Sequence, residues 1–242
     1  MNNKTAVVSG ASGGIGIAVS KALYNAGYNI VLLYNKNKKP LEDEFSIDDK
    51  KILMIQGDLS KECDILKIKE EVYATFHGVD VIVNNAGISL IKFFDETTCE
   101  EWDRVFDVNV KSAFMLTKAF IPEMINRKSG NIINISSMWG ISGASMEVCY
   151  SASKAAMIGM SKALAKELGP SGINVNVIAP GVIETKMNEH ISKEDMDVLI
   201  EDTPINRIGK PEDIANAVMF LCDEKASFIT GEVIKVDGGF IL

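Results

Sequence analysis

The chain has 242 residues, of which 47% are apolar and 24% are charged, and its formal net charge is −8. This balance predicts one globular domain over residues 1–242, disfavours nucleic acid as a partner and leaves no apolar run long enough to cross a bilayer. The four cysteines form no C-x-x-C pair, which argues against a metal site and a disulfide framework. Free cysteines and an early first strand without a signal peptide predict a cytoplasmic protein.

The first half of the chain alternates short apolar runs with helical patterns. A strand over 5–9 precedes a glycine-rich loop and a helix over 15–26. Two further strands are predicted over 29–33 and 52–56. A polar helix then covers about 60–76, and a fourth strand covers 79–83.

The second half continues this alternation. A long helix over about 99–127 is expected to break near Pro122, because proline cannot donate a helical hydrogen bond. A strand over 131–136, a helix over 147–168, a strand over 173–178, a helix from Pro211 and a last strand over 233–236 follow. Apolar strands separated by helices predict a single-domain Rossmann fold, an α/β doubly wound parallel sheet of about seven strands with helices on both faces. Such sheets bind ligands at the carboxyl ends of their strands.

A glycine loop follows the first predicted strand, with Gly10, Gly14 and Gly16 spaced G-x-x-x-G-x-G. Glycine permits a tight turn and close approach of a ligand to the backbone. The following helix N-terminus offers N–H groups to a diphosphate. The loop therefore predicts a dinucleotide site, with a tight turn without ligand as the alternative. The predicted contacts are Gly10, Ser12, Gly13, Gly14, Ile15 and Gly16.

The same segment also satisfies G-x-S-x-G, the nucleophile elbow of α/β-hydrolases, with Ser12 as the nucleophile. A hydrolase would need a histidine base, and the chain has only His77 and His190. The elbow normally follows a later strand, so this alternative is disfavoured.

A lysine-rich segment follows the second strand. Asn35, Lys36, Lys38 and Lys39 stand where an acidic residue would bind the ribose hydroxyls and repel a 2′-phosphate. The absence of an acid favours NADP, with NAD less favoured, and Asn35 and Lys36 are the predicted contacts. A solvated basic turn is the alternative.

Tyr150 and Lys154 are spaced i, i+4 in a predicted helix, so their side chains share one face. A free phenol, with a pKa of about 10, is a poor acid at neutral pH, and a nearby ammonium is expected to lower that pKa. Ser137, just after the fifth strand, can bond a carbonyl oxygen. Tyr150 would then protonate that oxygen as hydride reaches the carbon. A surface Tyr–Lys pair is the alternative for the spacing alone.

Taken in order, these motifs resemble the short-chain dehydrogenase/reductase family over essentially the whole chain. The segments that carry the resemblance are 9–16, 84–87, 109, 135–137, 150–154 and 180–181. The resemblance implies a catalytic tetrad of Asn109, Ser137, Tyr150 and Lys154, in which Asn109 holds a water relay to Lys154. It also implies that Tyr150 and Lys154 contact the cofactor, Lys154 through the nicotinamide ribose. Further implied cofactor contacts are Asp58, Leu59, Asn85, Ala86, Gly87, Pro180, Gly181, Ile183 and Thr185, with Asp58 at the adenine.

Within that family, segments 179–185 and 231–239 resemble the β-ketoacyl-acyl-carrier-protein reductases of fatty acid biosynthesis. This resemblance implies a homotetramer, with helices 99–127 and 147–168 at its interfaces, that reduces 3-oxoacyl thioesters with NADPH. An acidic acyl carrier protein would dock on basic residues, for which Arg127 and Lys128 are candidates. Ser171 departs from the pattern, because those reductases often carry arginine there.

Segments 137–140 and 143–150 are similar to a second branch, which reduces a 5-aminopentanone group on a lysine of modified elongation factor P. For such a substrate Glu147 would pair with the ammonium and Trp139 would stack on its chain, and structural roles for both residues stay open. A non-catalytic dinucleotide-binding protein is the alternative from another class.

Residues 184–207 are polar and weakly periodic, and they are predicted to form a helical lid over the substrate. Within this lid, Met187, Ile191, Met196 and Leu199 either face the pocket or pack down.

Overall fold

The structure, a computed structural model, describes residues 4–189 and 191–241. In this part of the chain, parallel strands form one seven-stranded sheet in the order β3-β2-β1-β4-β5-β6-β7. The strands are β1 Thr5–Val8, β2 Asn29–Tyr34, β3 Ile52–Gln56, β4 Val81–Asn84, β5 Gly130–Ile135, β6 Ile173–Pro180 and β7 Val233–Val236. The helices are α1 Gly14–Asn25, α2 Lys39–Glu44, α3 Glu62–Phe76, α4 Cys99–Phe106, α5 Ser112–Arg127, α6 Trp139–Ser142, α7 Val148–Leu168, α8 Lys193–Glu201 and α9 Pro211–Cys222.

The sheet confirms the predicted doubly wound fold. Strand β1 pairs with both β2 and β4, so the order reverses there and opens a crevice at the carboxyl ends of β1 and β4. Apolar side chains leave both faces of the sheet. In β1, Ala6 and Val8 pack with α1 and α9, whereas Val7 packs with α3 and α5 on the other face. This double burial explains why the strands are apolar throughout.

The predicted break near Pro122 is wrong. Helix α5 runs through Pro122, which is exposed, so the helix lacks one backbone hydrogen bond there without ending. The interruption lies earlier, where Asp107–Lys111 forms a π-helical segment between α4 and α5. A π segment places an extra residue in the turn and is frequent at functional sites. Here it carries the buried side chain of Asn109.

Helices α2 and α6 are additions to the sequence-based prediction. They have six and four residues, too few to produce a periodic pattern that sequence reasoning can detect. Helix α2 begins within the second half of the predicted lysine-rich turn, so this part of the turn is the start of a helix. Across residues 4–189 and 191–241, no helix is long and apolar enough to cross a membrane.

Candidate active site

A cavity of about 870 Å³ opens at the carboxyl ends of the strands, between the loops that follow β1, β4, β5 and β6. Most of the predicted site residues lie on its wall, although they are far apart in the sequence. Those residues are Gly10, Ser12, Gly13, Gly14, Ile15, Asn85, Ala86, Gly87, Ser137, Trp139, Glu147, Tyr150, Lys154, Pro180, Gly181, Ile183 and Thr185.

The other predicted site residues lie off this wall: Gly16, Asn35, Lys36, Asp58, Leu59 and Asn109. A Cβ at Gly16 would come 2.3 Å from the Gly10 carbonyl oxygen, so this glycine allows α1 to pack on the loop. Asp58 accepts hydrogen bonds from the backbone N–H (3.1 Å) and hydroxyl (2.7 Å) of Ser60, which lowers the pKa of its carboxyl group. Leu59 is buried. The adenine contact of Asp58 stays a prediction.

The glycine loop is tied to the loop after β4. Gly10 has a φ of +59°, and a Cβ there would lie 2.8 Å from the Cα of Ala86. The Ser9 hydroxyl accepts from the backbone N–H groups of Asn85 (2.9 Å) and Ala86 (3.0 Å). Ser9 therefore joins the two loops that form this end of the cavity, a role that its sequence position alone did not indicate.

The N-terminus of α1 faces this end of the cavity. Gly13 is its N-cap residue and provides no side-chain hydrogen bond to the first turn. The first N–H groups of a helix have no intrahelical partner and carry a partial positive charge. Gly14 and Ile15 both line the cavity, so this turn can receive an anionic group.

Tyr150 and Lys154 come together on the first turns of α7, and both are almost fully buried. The Lys154 Nζ atom lies 5.7 Å from the centre of the Tyr150 ring and donates a 2.9 Å hydrogen bond to the Ile135 carbonyl oxygen. Ser137 follows β5, and its hydroxyl accepts from the backbone N–H of Trp139 at 3.1 Å. The three side chains therefore meet at the carboxyl end of β5.

The expected fall in the pKa of Tyr150 is wrong. Burial raises the pKa of Tyr150 to about 12; the Ser137 hydroxyl acts against this rise and Glu147 adds to it. Burial also lowers the pKa of Lys154 to about 8. Desolvation disfavours the charged form of each group, so it shifts the two pKa values in opposite directions.

Asn109 lies beside this cluster, on the π-helical segment. Its Oδ1 accepts from the Ile88 N–H at 2.8 Å, and its Nδ2 donates to the Ile88 carbonyl (3.0 Å) and to the Ser153 hydroxyl (2.9 Å). The side-chain amide is thus engaged with protein groups. The water relay that the resemblance implies for Asn109 stays a prediction.

The predicted substrate residues lie on the cavity wall with partners that the sequence did not indicate. The Trp139 ring is edge-on to Phe240, with 5.8 Å between ring centres. Glu147 accepts a 2.5 Å hydrogen bond from the Ser89 hydroxyl.

The predicted lid segment contributes to the cavity wall from the side of α8. Of its four apolar candidates, Met187, Ile191 and Leu199 line the cavity, whereas Met196 does not. Three of these four side chains therefore face the pocket, which was the first of the two predicted alternatives.

The lysine-rich segment after β2 provides one free cation. Lys38 pairs with Glu42 at 3.1 Å, and Lys39 pairs with Asp43, both within α2. Within residues 4–189 and 191–241, Lys36 has no carboxylate partner. Sequence reasoning could not separate these lysines, because the pairing depends on the short helix α2.

The basic candidates for carrier-protein docking lie away from the cavity of the same chain. Arg127 ends α5 just before β5 begins, so it lies at the amino ends of the strands, opposite the cavity. There it pairs with Asp80 (2.9 Å) and Glu123 (3.7 Å). Lys128 follows it as the α5 C-cap residue. In this one chain, neither residue flanks the cavity.

The hydrolase alternative finds no support from His77. This residue caps the C-terminus of α3 before β4 begins, so it lies at the amino ends of the strands, whereas Ser12 lies at their carboxyl ends. The other candidate base, His190, lies outside the described residues.

Comparisons with known proteins agree with this site. Residues 10–241 match the family described as enoyl-(acyl carrier protein) reductase. Among curated proteins, the chain is 39% identical to the 3-oxoacyl-[acyl-carrier-protein] reductase FabG of Aquifex aeolicus, over 99% of this chain and 98% of that one. It is 40% identical to the uncharacterized oxidoreductase YmfI of Bacillus subtilis, over 98% and 99%.

A solved structure extends the similarity to the whole fold. The short-chain dehydrogenase/reductase, glucose/ribitol dehydrogenase, from Brucella melitensis superposes with a TM-score of 0.91 at 34% identity, covering 100% of this chain and 98% of that one. Sequence similarity, fold and cavity geometry agree along the full length. The chain belongs to the short-chain dehydrogenase/reductase family of oxidoreductases.

Proposed function

We propose that the chain is an NADPH-dependent ketoreductase. It reduces the 3-oxo group of a 3-oxoacyl thioester to a hydroxyl group, with Tyr150 as the proton donor. One observation carries the proposal: Tyr150, Lys154 and Ser137 lie on the wall of a single cavity whose other end is the glycine loop. Relatives from Aquifex aeolicus and Staphylococcus epidermidis are 3-oxoacyl-[acyl-carrier-protein] reductases, which supports the thioester as the substrate class.

The residues at the glycine loop fit a dinucleotide. A Cβ at Gly10 would come 2.8 Å from the Cα of Ala86, and one at Gly14 would come 3.0 Å from the Thr185 methyl carbon, so both positions present bare backbone. The uncapped first turn of α1 can bind a diphosphate there. The groups that would hold the rest of the cofactor are Asn85, Ala86, Gly87, Pro180, Gly181, Ile183 and Thr185. When bound, the reduced nicotinamide supplies a hydride.

The protein groups then manage the proton. With a pKa of about 12, Tyr150 keeps its proton at neutral pH and can donate it to the carbonyl oxygen of a substrate. The Ser137 hydroxyl beside it can hold the same oxygen. Lys154, with a pKa of about 8, is mostly charged at pH 7 and can stabilise the phenolate that remains. Asn109 would hold a water relay, through which a replacement proton would reach Tyr150 by way of Lys154.

The preference for NADPH rests on the segment after β2. No acidic residue follows the strand directly, and Lys36 has no carboxylate partner in the described part of the chain. An unpaired cation at this place suits a 2′-phosphate.

The test is the fall in NADPH absorbance with acetoacetyl-CoA, with NADH in parallel. We expect turnover that is selective for NADPH, and a decrease in kcat of roughly 10²–10⁴-fold in Tyr150→Phe with NADPH binding retained. A wild-type protein that binds NADPH and reduces no ketone would instead be a non-catalytic dinucleotide-binding protein. If the protein instead hydrolyses esters without a cofactor, and Ser12→Ala abolishes that activity, the hydrolase alternative would be supported.

A second candidate substrate is the 5-aminopentanone group on modified elongation factor P. The observation that favours it is the Glu147 carboxylate, which lines the cavity one turn before Tyr150 and raises the pKa of that tyrosine. A carboxylate at this place can pair with the ammonium of an amino-ketone, and Trp139 lines the same cavity.

The two substrates respond differently to Glu147→Gln. For an amino-ketone we expect KM to rise by about tenfold, which corresponds to the loss of one charged pair, whereas KM for an uncharged ketone stays the same. An unchanged KM for both ketones would remove the second candidate.

A further inference from the structure

The hydroxyl of Ser153 is fully buried between α7 and the π-helical segment. It donates a 2.7 Å hydrogen bond to the carbonyl oxygen of Tyr150, one turn earlier, and accepts a 2.9 Å hydrogen bond from the Asn109 side chain. Ser153 is absent from the cavity wall, so it does not touch a ligand bound there. Its two bonds therefore act only between protein groups.

Asn109 continues this set of bonds to the cavity. Its Oδ1 and Nδ2 atoms bind the N–H and the carbonyl group of Ile88, at 2.8 Å and 3.0 Å, and Ile88 lines the cavity after β4. A continuous series of hydrogen bonds thus runs from the β4 loop, through Asn109 and Ser153, to the backbone of Tyr150. Both side chains in the series are buried, so water does not compete for these bonds.

The next residue in the chain, Lys154, depends on the same turn. A Cβ at Gly87 would lie 3.2 Å from the Lys154 Nζ atom and 3.3 Å from the Asn109 Oδ1 atom, so the ammonium, the amide and the Gly87 backbone are close neighbours. A serine that bonds a carbonyl of the preceding turn alters the local bend of a helix. A small change in the first turn of α7 would move Tyr150 and Lys154 relative to Gly87.

We propose that Ser153 is a positioning residue for the reaction: its two hydrogen bonds fix the first turn of α7 against the π-helical segment and so set where the Tyr150 hydroxyl and the Lys154 ammonium lie. The proposal rests on the function proposed above for Tyr150 and Lys154. Ser153 acts through these two residues and contacts neither substrate nor cofactor.

The chain contains a matched control on the same helix. Ser161 is also fully buried, donates a 2.6 Å hydrogen bond to the carbonyl oxygen of Met157, and accepts a 2.7 Å hydrogen bond from the side chain of Asn134. Its bonding pattern therefore repeats that of Ser153 two turns further along α7. Unlike Tyr150, which Ser153 bonds, neither Met157 nor Asn134 lines the cavity. Ser161→Ala therefore removes an equivalent buried hydroxyl that bonds no residue of the cavity wall.

The kinetic test compares Ser153→Ala and Ser161→Ala with wild type. For Ser153→Ala we expect kcat to fall roughly 10- to 100-fold while KM for NADPH is unchanged, because misplacement of an acid–base pair affects the chemical step. For Ser161→Ala we expect wild-type kcat at a similar loss of melting temperature. Equal kcat values in the two variants would overturn the proposal. If Ser153→Ala fails to fold, Ser153→Cys keeps the volume but donates only weakly, and the same fall in kcat is expected.

A second readout is independent of turnover. NMR titration of lysine labelled with ¹³C at the ε carbon, with Lys154→Met to assign the signal, reports the pKa of Lys154. Loosening of the turn admits water, so in Ser153→Ala this pKa should rise from about 8 towards 10.5, and in Ser161→Ala it should stay. If wild type reduces no ketone but this shift is specific to Ser153→Ala, the proposed function fails and the positioning role stands. A pKa of Lys154 that is the same in all three proteins would overturn the role itself.

Discussion

Burial of the Lys154 ammonium in the site costs stability. The ammonium is buried, with one hydrogen bond to Ile135, and burial lowers its pKa from 10.5 to about 8. Tyr150 beside it shows the opposite shift for the same reason, because desolvation always favours the neutral form. With these shifts Tyr150 is a neutral phenol and Lys154 is mostly an ammonium at pH 7, as the proposed proton donation requires.

The free energy of unfolding should reveal this cost through its pH dependence. Below about pH 8 Lys154 is charged in both states, and the folded state bears the full penalty. Between about pH 8 and 10.5 the unfolded chain holds a proton that the folded chain has lost, so stability rises with pH. Lys154→Met removes this slope. We expect its stability advantage over wild type to be about 3 kcal/mol larger at pH 7 than at pH 10.5.

Urea unfolding at the two pH values measures this difference. The lost hydrogen bond to Ile135 affects both pH values equally, and other titrating groups cancel because both proteins contain them. An advantage that does not change with pH would mean that Lys154 is not held at a lowered pKa.

A second prediction at the residue scale concerns Lys36. As the unpaired cation after β2, it should account for most of the 2′-phosphate recognition. In Lys36→Ala we expect KM for NADPH to rise about tenfold, as for the loss of one charged hydrogen bond, while KM for NADH stays the same. Lys38→Ala is the control, because Lys38 is paired with Glu42. Similar effects of both substitutions would instead indicate a diffuse basic turn.

At the scale of elements, the irregularity in the long helical region between β4 and β5 lies beside the first turn of α7. The π-helical segment Asp107–Lys111 interrupts the helix and turns Asn109 inward to bond Ile88 and Ser153. Pro122, by contrast, lies exposed inside α5 and leaves the helix continuous. The proline was the visible signal in the sequence, whereas the π segment has no comparable signature. The segment and α4 both pack against α7, and that contact is set by the folded chain.

This comparison predicts that Pro122 is a net cost. Proline inside a helix removes one backbone hydrogen bond and strains the preceding turn, so Pro122→Ala should raise the free energy of unfolding by about 1–3 kcal/mol. The matched substitution is Pro211→Ala at the first position of α9, where the proline ring is favourable, and it should have no stabilising effect. Denaturant midpoints of the two variants provide the measurement. An equal change in the two midpoints would contradict a cost that is specific to proline in the helix interior.

At the scale of the whole molecule, the parallel sheet collects the site from four loops. Strand β1 lies between β2 and β4, and the loops after β1, β4, β5 and β6 all lie at the carboxyl ends of the strands. The groups proposed for proton transfer follow β5 or lie on α7, and the groups proposed to hold the dinucleotide lie in the loops after β1, β4 and β6. Because both sets depend on one rigid sheet, their separation is fixed by the fold.

The oligomeric state is also a property of this scale. We propose a homotetramer whose interfaces include α4, α5 and α7, where Phe114 leaves 48% of its surface exposed. Light scattering should return four times the 26.4 kDa mass of one chain. Phe114→Glu should lower that mass by placing a charge in an apolar contact. Leu66→Glu on α3, which is 54% exposed, should leave it unchanged. A wild-type monomer would contradict the proposal.

The sequence alone determined those features of the protein that depend on short-range patterns of residues. The apolar runs predicted the strands, and the alternation with helices predicted a parallel sheet. The glycine spacing and the i, i+4 pair located both ends of the cavity. Each of these signals lies within about one turn or one strand, where side-chain periodicity is fixed by backbone geometry.

The tertiary structure decided what depends on contacts across the chain. Four features arise from groups brought together by folding: the raised pKa of Tyr150, the ion pairs of Lys38 and Lys39, the Ser9 and Ser153 hydrogen bonds, and the π segment. Desolvation depends on every neighbour of a buried group, and the pairing of Lys38 and Lys39 depends on a helix too short to predict. For these features the spacing of residues in the sequence carries no information, because the partners are set by the packed fold.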